Sequence, residues 1–287
     1  MNKTRILALL TNPFLVRLVT FFRPHRFVLR FYLSSFFKSL GSSSGSTLVN
    51  VANGYGVNLK MALQVTGKSH PLETFYWLGF GELAIQRQFA KVIKKSFIVY
   101  DIGAYIGFHS LIAGRLAGPL GKVYCFEPFP KNNERLKLHI LLNKMQDRVF
   151  CIPKAVTDKA GKAICHYRGH DTMYYFTNID CSGEYNSAIG GPVVETISLD
   201  EFIFQEGHPA PNLIKIDVEG GELKVLLGAQ RLLREFKPSI ICEIHSIELA
   251  RQVYEELKRL GYRFKVLNEK GMPFNLHYGH ILAQAAK

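Results

Sequence analysis

Two acidic residues close two apolar runs, and their spacing frames the chemistry open to the chain. The run Phe97-Ile98-Val99-Tyr100 ends in Asp101. Ile102-Gly103-Ala104-Tyr105-Ile106-Gly107 follows, and then an amphipathic segment over 108–116. This pattern predicts a buried strand, a tight glycine loop and a helix start. The N–H groups at such a helix start favour an anion. A carboxylate beside them favours a cation. One ligand with a carboxylate and an ammonium satisfies both. The second acid, Glu127, closes the run 121–126 and lies 26 residues after Asp101. That is about one βαβ unit, and a carboxylate there accepts both hydroxyls of a ribose. The loop has two glycines, not the G-x-G-x-x-G of a dinucleotide site, and Asp101 would repel a pyrophosphate while attracting a sulfonium. The set points to S-adenosylmethionine rather than NAD.

Two further runs end in polar groups. Residues 212–222 contain Ile214-Lys215-Ile216-Asp217-Val218-Glu219-Gly220-Gly221-Glu222, and residues 239–245 contain Ile241-Cys242-Glu243-Ile244-His245. Asp217 and Glu219 are i, i+2 on one strand and share a face, as do Glu243 and His245 on the next. Lys215 lies within its strand as a partner for one of these acids.

The elements that carry these residues alternate. Helices are expected after Asp101, ending near Gly118-Pro119, and over 130–143, 222–236 and 248–260. A third strand is expected over 149–156, and two last strands over 262–268 and 278–283 pair as a hairpin. Alternation of this kind implies a parallel, doubly wound sheet with its ligand at the strands' carboxyl ends. The segment 163–196 breaks the rhythm with His166, Tyr167, His170, Tyr174, Tyr175, Phe176 and Tyr185, and reads as a hairpin or lid. Ser198-x-x-Glu201 is a capping box that opens a short helix.

Upstream, Asn53-Gly54 between the runs 47–52 and 57–63 is a hairpin signal. Residues 72–95 read as one or two helices. The division is therefore a basic, apolar extension over 1–45, a hairpin and helical lead-in over 46–96, and a ligand-binding domain over 97–287.

The chain has 287 residues, and 47% are hydrophobic, a globular composition. The net charge of +13 is unevenly placed. The first 72 residues carry nine Lys or Arg and no acid, so the remainder carries +4. Basicity therefore says little about the partners of the domain. Ile6 to Val16 is apolar but short of the ~20 residues of a spanning helix, and Arg17, Arg23, Arg26 and Arg30 interrupt every longer window. Three readings stand for residues 1–40: an interfacial helix on an anionic membrane, a helical extension packed on the domain, or an Arg-rich organelle transit peptide. The five cysteines (Cys125, Cys151, Cys165, Cys181, Cys242) are scattered without C-x-x-C, which argues for a reducing, cytoplasmic setting and against structural zinc.

The runs at 99–107, 123–128, 199–200, 214–222 and 241–245 together resemble the FkbM methyltransferase family. The resemblance spans about residues 72–283, with Lys215-Ile216-Asp217-Val218-Glu219-Gly220 its most specific part. It implies a class I methyltransferase fold: an α/β, Rossmann-like, doubly wound, seven-stranded, mostly parallel sheet, here with an N-terminal helical and hairpin extension. It also implies S-adenosylmethionine-dependent O-methylation, often of sugar or polyketide hydroxyls. Where the family usually has Asn, this chain has Tyr105.

Methyl transfer from a sulfonium needs positioning and a base for the hydroxyl proton. His245 is the first candidate base by its ordinary pKa. Asp217 is the second, with binding of the cofactor ammonium as its alternative role, and Glu243 completes the catalytic set. Glu219 is a further acid there, or a cap for the helix that follows. Asp101, Gly103, Ala104, Tyr105, Gly107, Glu127, Pro128, Ala155 and Asp217 are the residues expected at the cofactor. Asp217 with Glu243 would suit Mg²⁺, but methyl transfer requires no metal and none is expected. His109, His166, His170 and His208 show no ligand spacing and are expected at the surface or in the lid. The expected acceptor is a small-molecule or glycan hydroxyl. A nucleic acid acceptor is disfavoured, because Asp217-Val218-Glu219-Gly220 stands where base-methylating enzymes carry Asn/Asp-Pro-Pro-aromatic. A membrane-tethered, non-catalytic scaffold is the remaining alternative.

Overall fold

The computed structural model describes residues 46–64, 71–167, 174–178, 191–267 and 279–286. The expected extension over 1–45, its membrane and transit readings, Cys181 and the centre of the 163–196 insertion lie outside these residues.

Strands β1 (Ser46–Asn50) and β2 (Lys60–Gln64) pair antiparallel. The Asn-Gly signal does mark a turn, but the connection is longer than a two-residue turn. Val51 and Asn58 exchange backbone bonds with Leu59 and Val51 inside it. Gly54, at φ 70, lies so close to the Gly79 carbonyl that a Cβ would meet it at 2.5 Å. The hairpin tip is thus docked on the lead-in helices α1 (Pro71–Leu78) and α2 (Leu83–Val92).

The main sheet is built from β3 (Ile98–Ile102), β4 (Lys122–Phe126), β5 (Val149–Ile152), β10 (Leu213–Ile216), β11 (Ser239–Ile244), β12 (Tyr262–Leu267) and β13 (Gly279–Ala285). The order is β12-β13-β11-β10-β3-β4-β5, with β13 alone antiparallel to its neighbours. This is the expected doubly wound, seven-stranded sheet. Its connections include α3 (Phe108–Ala117), α4 (Pro130–Leu142), α5 (Leu199–Phe204), α6 (Glu222–Leu227), α7 (Gln230–Glu235) and α8 (Ile247–Arg259). The chain runs outward from β3 to β5 in one direction and from β10 to β11 in the other. The switch point lies between β3 and β10, where such sheets place ligands.

Period-two alternation divides the strands between two apolar layers. Val99, Val123, Leu213, Ile241 and Leu282 pack on the layer of α2 and α3, while Tyr100, Phe126, Ile214, Ile240 and Cys242 pack on the layer of α5 to α8. The same alternation puts Asp101, Lys215, Glu243 and His280 on the α3 side. Polar side chains therefore replace the apolar layer there, at the carboxyl end of the parallel strands.

Two expectations fail for local reasons. The strand expected over 149–156 divides at Pro153, which has no N–H for the ladder. Beyond it β6 (Lys154–Val156) leaves the main sheet. It joins β7 (Gly161–Tyr167), β8 (Tyr174–Asn178) and β9 (Val193–Ile197) in a second sheet of order β6-β9-β7-β8. The described part of the insertion thus forms strands of that sheet. The helix expected over 222–236 divides into α6 and α7 at Gly228, where a Cβ would meet the Thr157 carbonyl at 2.1 Å. Asp200 accepts from the N–H groups of Arg231 and Leu232 and so closes the start of α7. The capping box forms as read: Ser198 and Glu201 bond reciprocally. No helix among the described residues is long and apolar enough to cross a membrane.

Candidate active site

The glycine loop after β3 turns through three residues of positive φ: Gly103 at 79°, Tyr105 at 49° and Gly107 at 86°. A Cβ on Gly103 would lie 1.7 Å from the Asp217 carbonyl. Only glycine therefore lets the loop after β3 touch the turn after β10. The N–H groups of Gly103 and Ala104 donate to the Phe126 carbonyl at 3.0 and 3.1 Å. No side chain caps α3 at Gly107, so its first N–H groups remain suited to an anion.

Tyr105 stands in a left-handed conformation that Asn adopts readily and Tyr does not. Two contacts hold it. Its N–H donates to Glu127 Oε2 at 2.8 Å, and its hydroxyl donates to Glu73 Oε1 at 3.1 Å. Arg135 in turn donates to both Glu73 oxygens, at 2.6 and 2.8 Å. The tyrosine thus carries an anchor that a shorter Asn would lack.

Glu127 is buried. Besides Tyr105, it accepts from Phe129 N–H at 3.0 Å and from Asn132 Nδ2 at 3.5 Å. A carboxylate offers about four acceptor positions, so these three bonds leave room for a ligand hydroxyl. Burial, with Asp101 nearby, pushes its carboxyl up to about 7 against these bonds. Pro128 follows it, buried. Ala155 turns its methyl into a small apolar cluster with Ala163, Cys165 and Val194.

Asp101, expected to meet the cofactor ammonium, is 0% exposed. Its Oδ2 accepts from Ser110 Oγ at 2.6 Å, and its Oδ1 lies 3.5 Å from Lys215 Nζ without a hydrogen bond. The strand alternation directs it at α3, so it acts as a buried counter-charge. Lys215 bridges it to Asp217, whose Oδ2 accepts at 3.0 Å. Burial opposes ionisation of Asp217, but Lys215 holds its carboxyl below the usual range. Asp217 keeps some exposure and is the acid left to face a ligand cation.

The four polar groups read from the ends of β10 and β11 do come together. His245 Nδ1 lies 2.7 Å from Glu222 Oε1. Its Nε2 lies 3.5 Å from Glu219 Oε2 and 3.9 Å from both Asp217 Oδ1 and Glu243 Oε1. Burial disfavours the imidazolium, yet the bond to Glu222 outweighs it and pushes His245 up to about 9. Its resting pKa is therefore not the ordinary one assumed for a base. Glu222, also held by Gly220 N–H at 3.1 Å, was missed because it reads as a helix-opening acid.

Glu82 and His280 were missed as well. His280 stands opposite Glu243 across the β11–β13 ladder, and its Nε2 lies 3.1 Å from Glu82 Oε1 and 3.4 Å from Glu243 Oε2. Burial works against its charge, but Glu243 and Glu82 push it up to about 10. Glu243 rises to about 7 through burial and Asp217. His109, expected at the surface or in the lid, is instead buried on α3 beside Glu82, and burial holds its pKa below the ordinary imidazole range despite Glu82. His208 stacks on Phe202. His166 and His170 have no described side chains.

The profile of the Methyltransferase FkbM domain matches residues 101–264. The hexuronic acid methyltransferase AglP of Haloferax volcanii is 28% identical over 167 residues, which cover 58% of this chain and 63% of that protein. The 31-O-demethyl-FK506 methyltransferase FkbM of Streptomyces tacrolimicus is 27% identical over 197 residues, 60% of this chain and 74% of that one. The chain thus spans less than two thirds of the length of the first of these relatives. A solved FkbM methyltransferase from Methylobacillus flagellatus has a TM-score of 0.45 and 15% identity, over 70% of this chain and 53% of that one.

Proposed function

The chain belongs to the FkbM methyltransferase family, and from that premise we propose that it is an S-adenosylmethionine-dependent O-methyltransferase whose acceptor is a hydroxyl of a glycan or small molecule. The observation that carries the reading is the meeting of the glycine loop with an acid-rich pair of strand ends across the switch point. Asp217, Glu219 and Glu243 converge on His245, and Gly103 touches the Asp217 carbonyl.

The residues present fit the cofactor. Glu127 has acceptor capacity for a ribose hydroxyl, the uncapped start of α3 suits a carboxylate, and Asp217 suits an ammonium. Bound there, the cofactor supplies a methyl group on a positively charged sulfur. The protein's part is positioning and proton transfer. Glu222 fixes the His245 tautomer through Nδ1 and leaves Nε2 to receive the acceptor proton. A cation beside Asp217 opposes the imidazolium and lowers its pKa, which favours the neutral ring that accepts the proton.

A sugar acceptor is favoured by the relative that acts on a hexuronic acid. The acid-rich strand ends would repel a phosphate backbone, which argues against nucleic acid. Incubating the full chain with labelled cofactor, lipid-linked glycans, small polyols and RNA tests this. Label in glycan or polyol is expected. Label in RNA alone, or cofactor binding without turnover on any acceptor, would refute it.

Glu127 adds a pH prediction. Burial places its folded pKa near 7, and ribose hydroxyls donate to the ionised form. Cofactor affinity is therefore full above that pH and lost as pH falls through it, by up to about tenfold per unit. Calorimetry between pH 8 and 6 should show this slope, and Glu127→Gln should bind more weakly and remove most of it. An equal slope in the variant would contradict the assignment.

A further inference from the structure

A second cluster adjoins the first, assembled from segments far apart in the sequence. Glu82 precedes α2, Glu243 lies on β11, and His280 stands opposite it on β13. One donor atom from each lies within 4.8 Å of the others. Within it, His280 Nε2 is 3.1 Å from Glu82 Oε1 and 3.4 Å from Glu243 Oε2. Ligand atoms bound at roughly 2.0–2.2 Å to one ion stand about 3.0–3.6 Å apart, and both distances from His280 Nε2 fall in that range. Such a group of carboxylates and imidazole could be an ordinary hydrogen-bonded set, and His109 separates the two readings. It is 4% exposed and enclosed edge-on by the rings of Tyr76, Phe89 and Phe108. Its Nδ1 lies 3.6 Å from Glu82 Oε2, beyond hydrogen bonding, so the ring nitrogen that faces the cluster is unbonded among the described residues. Glu82 carries a cost. It holds φ 47 and makes no side-chain cap to the helix it precedes; its Oε2 accepts from Tyr76 at 3.3 Å and its carboxylate faces the two histidines.

We propose that Glu82, Glu243 and His280 form a binding site for a first-row divalent metal ion, with His109 Nδ1 facing it from beside Glu82. Mixed imidazole and carboxylate donors suit Zn²⁺, Mn²⁺, Fe²⁺ or Co²⁺. This departs from the sequence-based expectation of no metal, which weighed only Asp217 with Glu243. The site stands independently of the methyl-transfer reading. Its role rests on that reading: Glu243 also faces His245, so an ion held by these residues would supply Lewis-acid assistance to loss of a hydroxyl proton.

The test uses the full chain, stripped with chelator and titrated with Co²⁺, with visible absorption and equilibrium dialysis as readouts. One equivalent with a ligand-field band is expected. Glu82→Gln and His280→Gln should each bind about 10–100-fold more weakly, while His208→Gln, remote from the cluster, should match the parent. Circular dichroism confirms that each variant is folded. Co²⁺ should raise the unfolding midpoint of the parent and not of the two variants. Substoichiometric binding by the parent overturns the proposal. So does unchanged binding in both Glu82→Gln and His280→Gln. Because no step measures methyl transfer, failure here leaves the O-methyltransferase reading standing, and the converse holds.

Discussion

Replacing Lys215 with methionine is expected to cost the folded protein about 3–5 kcal/mol, the usual loss when one partner of a buried charge pair is removed. Lys215 is 2% exposed and stands between two carboxylates, 3.0 Å from Asp217 and 3.5 Å from Asp101. Burial alone would discharge the lysine, but Asp217 and Asp101 outweigh it and hold its pKa above the usual range. Methionine keeps the stem's volume, so the loss is one of charge rather than packing. Asp101 would then be a fully buried carboxylate with Ser110 as its one hydrogen-bond partner among the described residues. Asp101→Asn in the Lys215→Met background should recover part of the loss, because the amide keeps an acceptor for Ser110 and removes the unpaired charge. Urea unfolding of the two single variants and the double variant measures all three values. A Lys215→Met loss under about 1 kcal/mol would show that the carboxylates are neutral or hydrated without it.

The second large effect concerns turnover. His245→Gln should lower kcat by about 10²–10⁴-fold, the range for a positioned proton acceptor. Cofactor affinity should stay equal or become tighter, since the variant removes a resting positive charge from a site that takes up a cation. Glu222→Gln should reproduce part of the kcat loss without touching the acceptor, because it loosens the Nδ1 contact that orients the ring. The split separates a chemical from a structural role. A general collapse of the site would weaken cofactor and acceptor alike, and normal turnover in His245→Gln would return proton transfer to Asp217 or Glu243.

Alternation of apolar runs with amphipathic segments was enough to read the main sheet, since strand and helix periods differ and the connections are short. The glycine loop and the acids at the ends of β3, β4, β10 and β11 were legible for the same reason: they sit at junctions that the pattern marks. What escaped was direction. An acid at a strand end meets either a ligand or the covering helix, and Asp101 meets the helix because it shares the face of Val99. His109 lies within an apolar helical stripe, where spacing alone does not distinguish a buried imidazole from an exposed one. Glu82 and His280 are 198 residues apart and meet only because the start of α2 reaches the beginning of β13. Two errors had visible signals. Pro153 marks the end of β5, and Gly228 marks the break between α6 and α7.

The Tyr105 anchor bears on where a working fragment of this protein can begin. Glu73 belongs to the helical lead-in, and Arg135, which grips it, also donates to the Ala62 carbonyl on β2, while Asn143 exchanges bonds with the Lys60 backbone. A truncation that starts at the first strand of the main sheet would keep every residue of the glycine loop yet leave its one non-glycine left-handed corner unlatched. A fragment that keeps this corner latched is therefore expected to start at the hairpin, upstream of residue 60, and what looks like a preface to the domain is one wall of it.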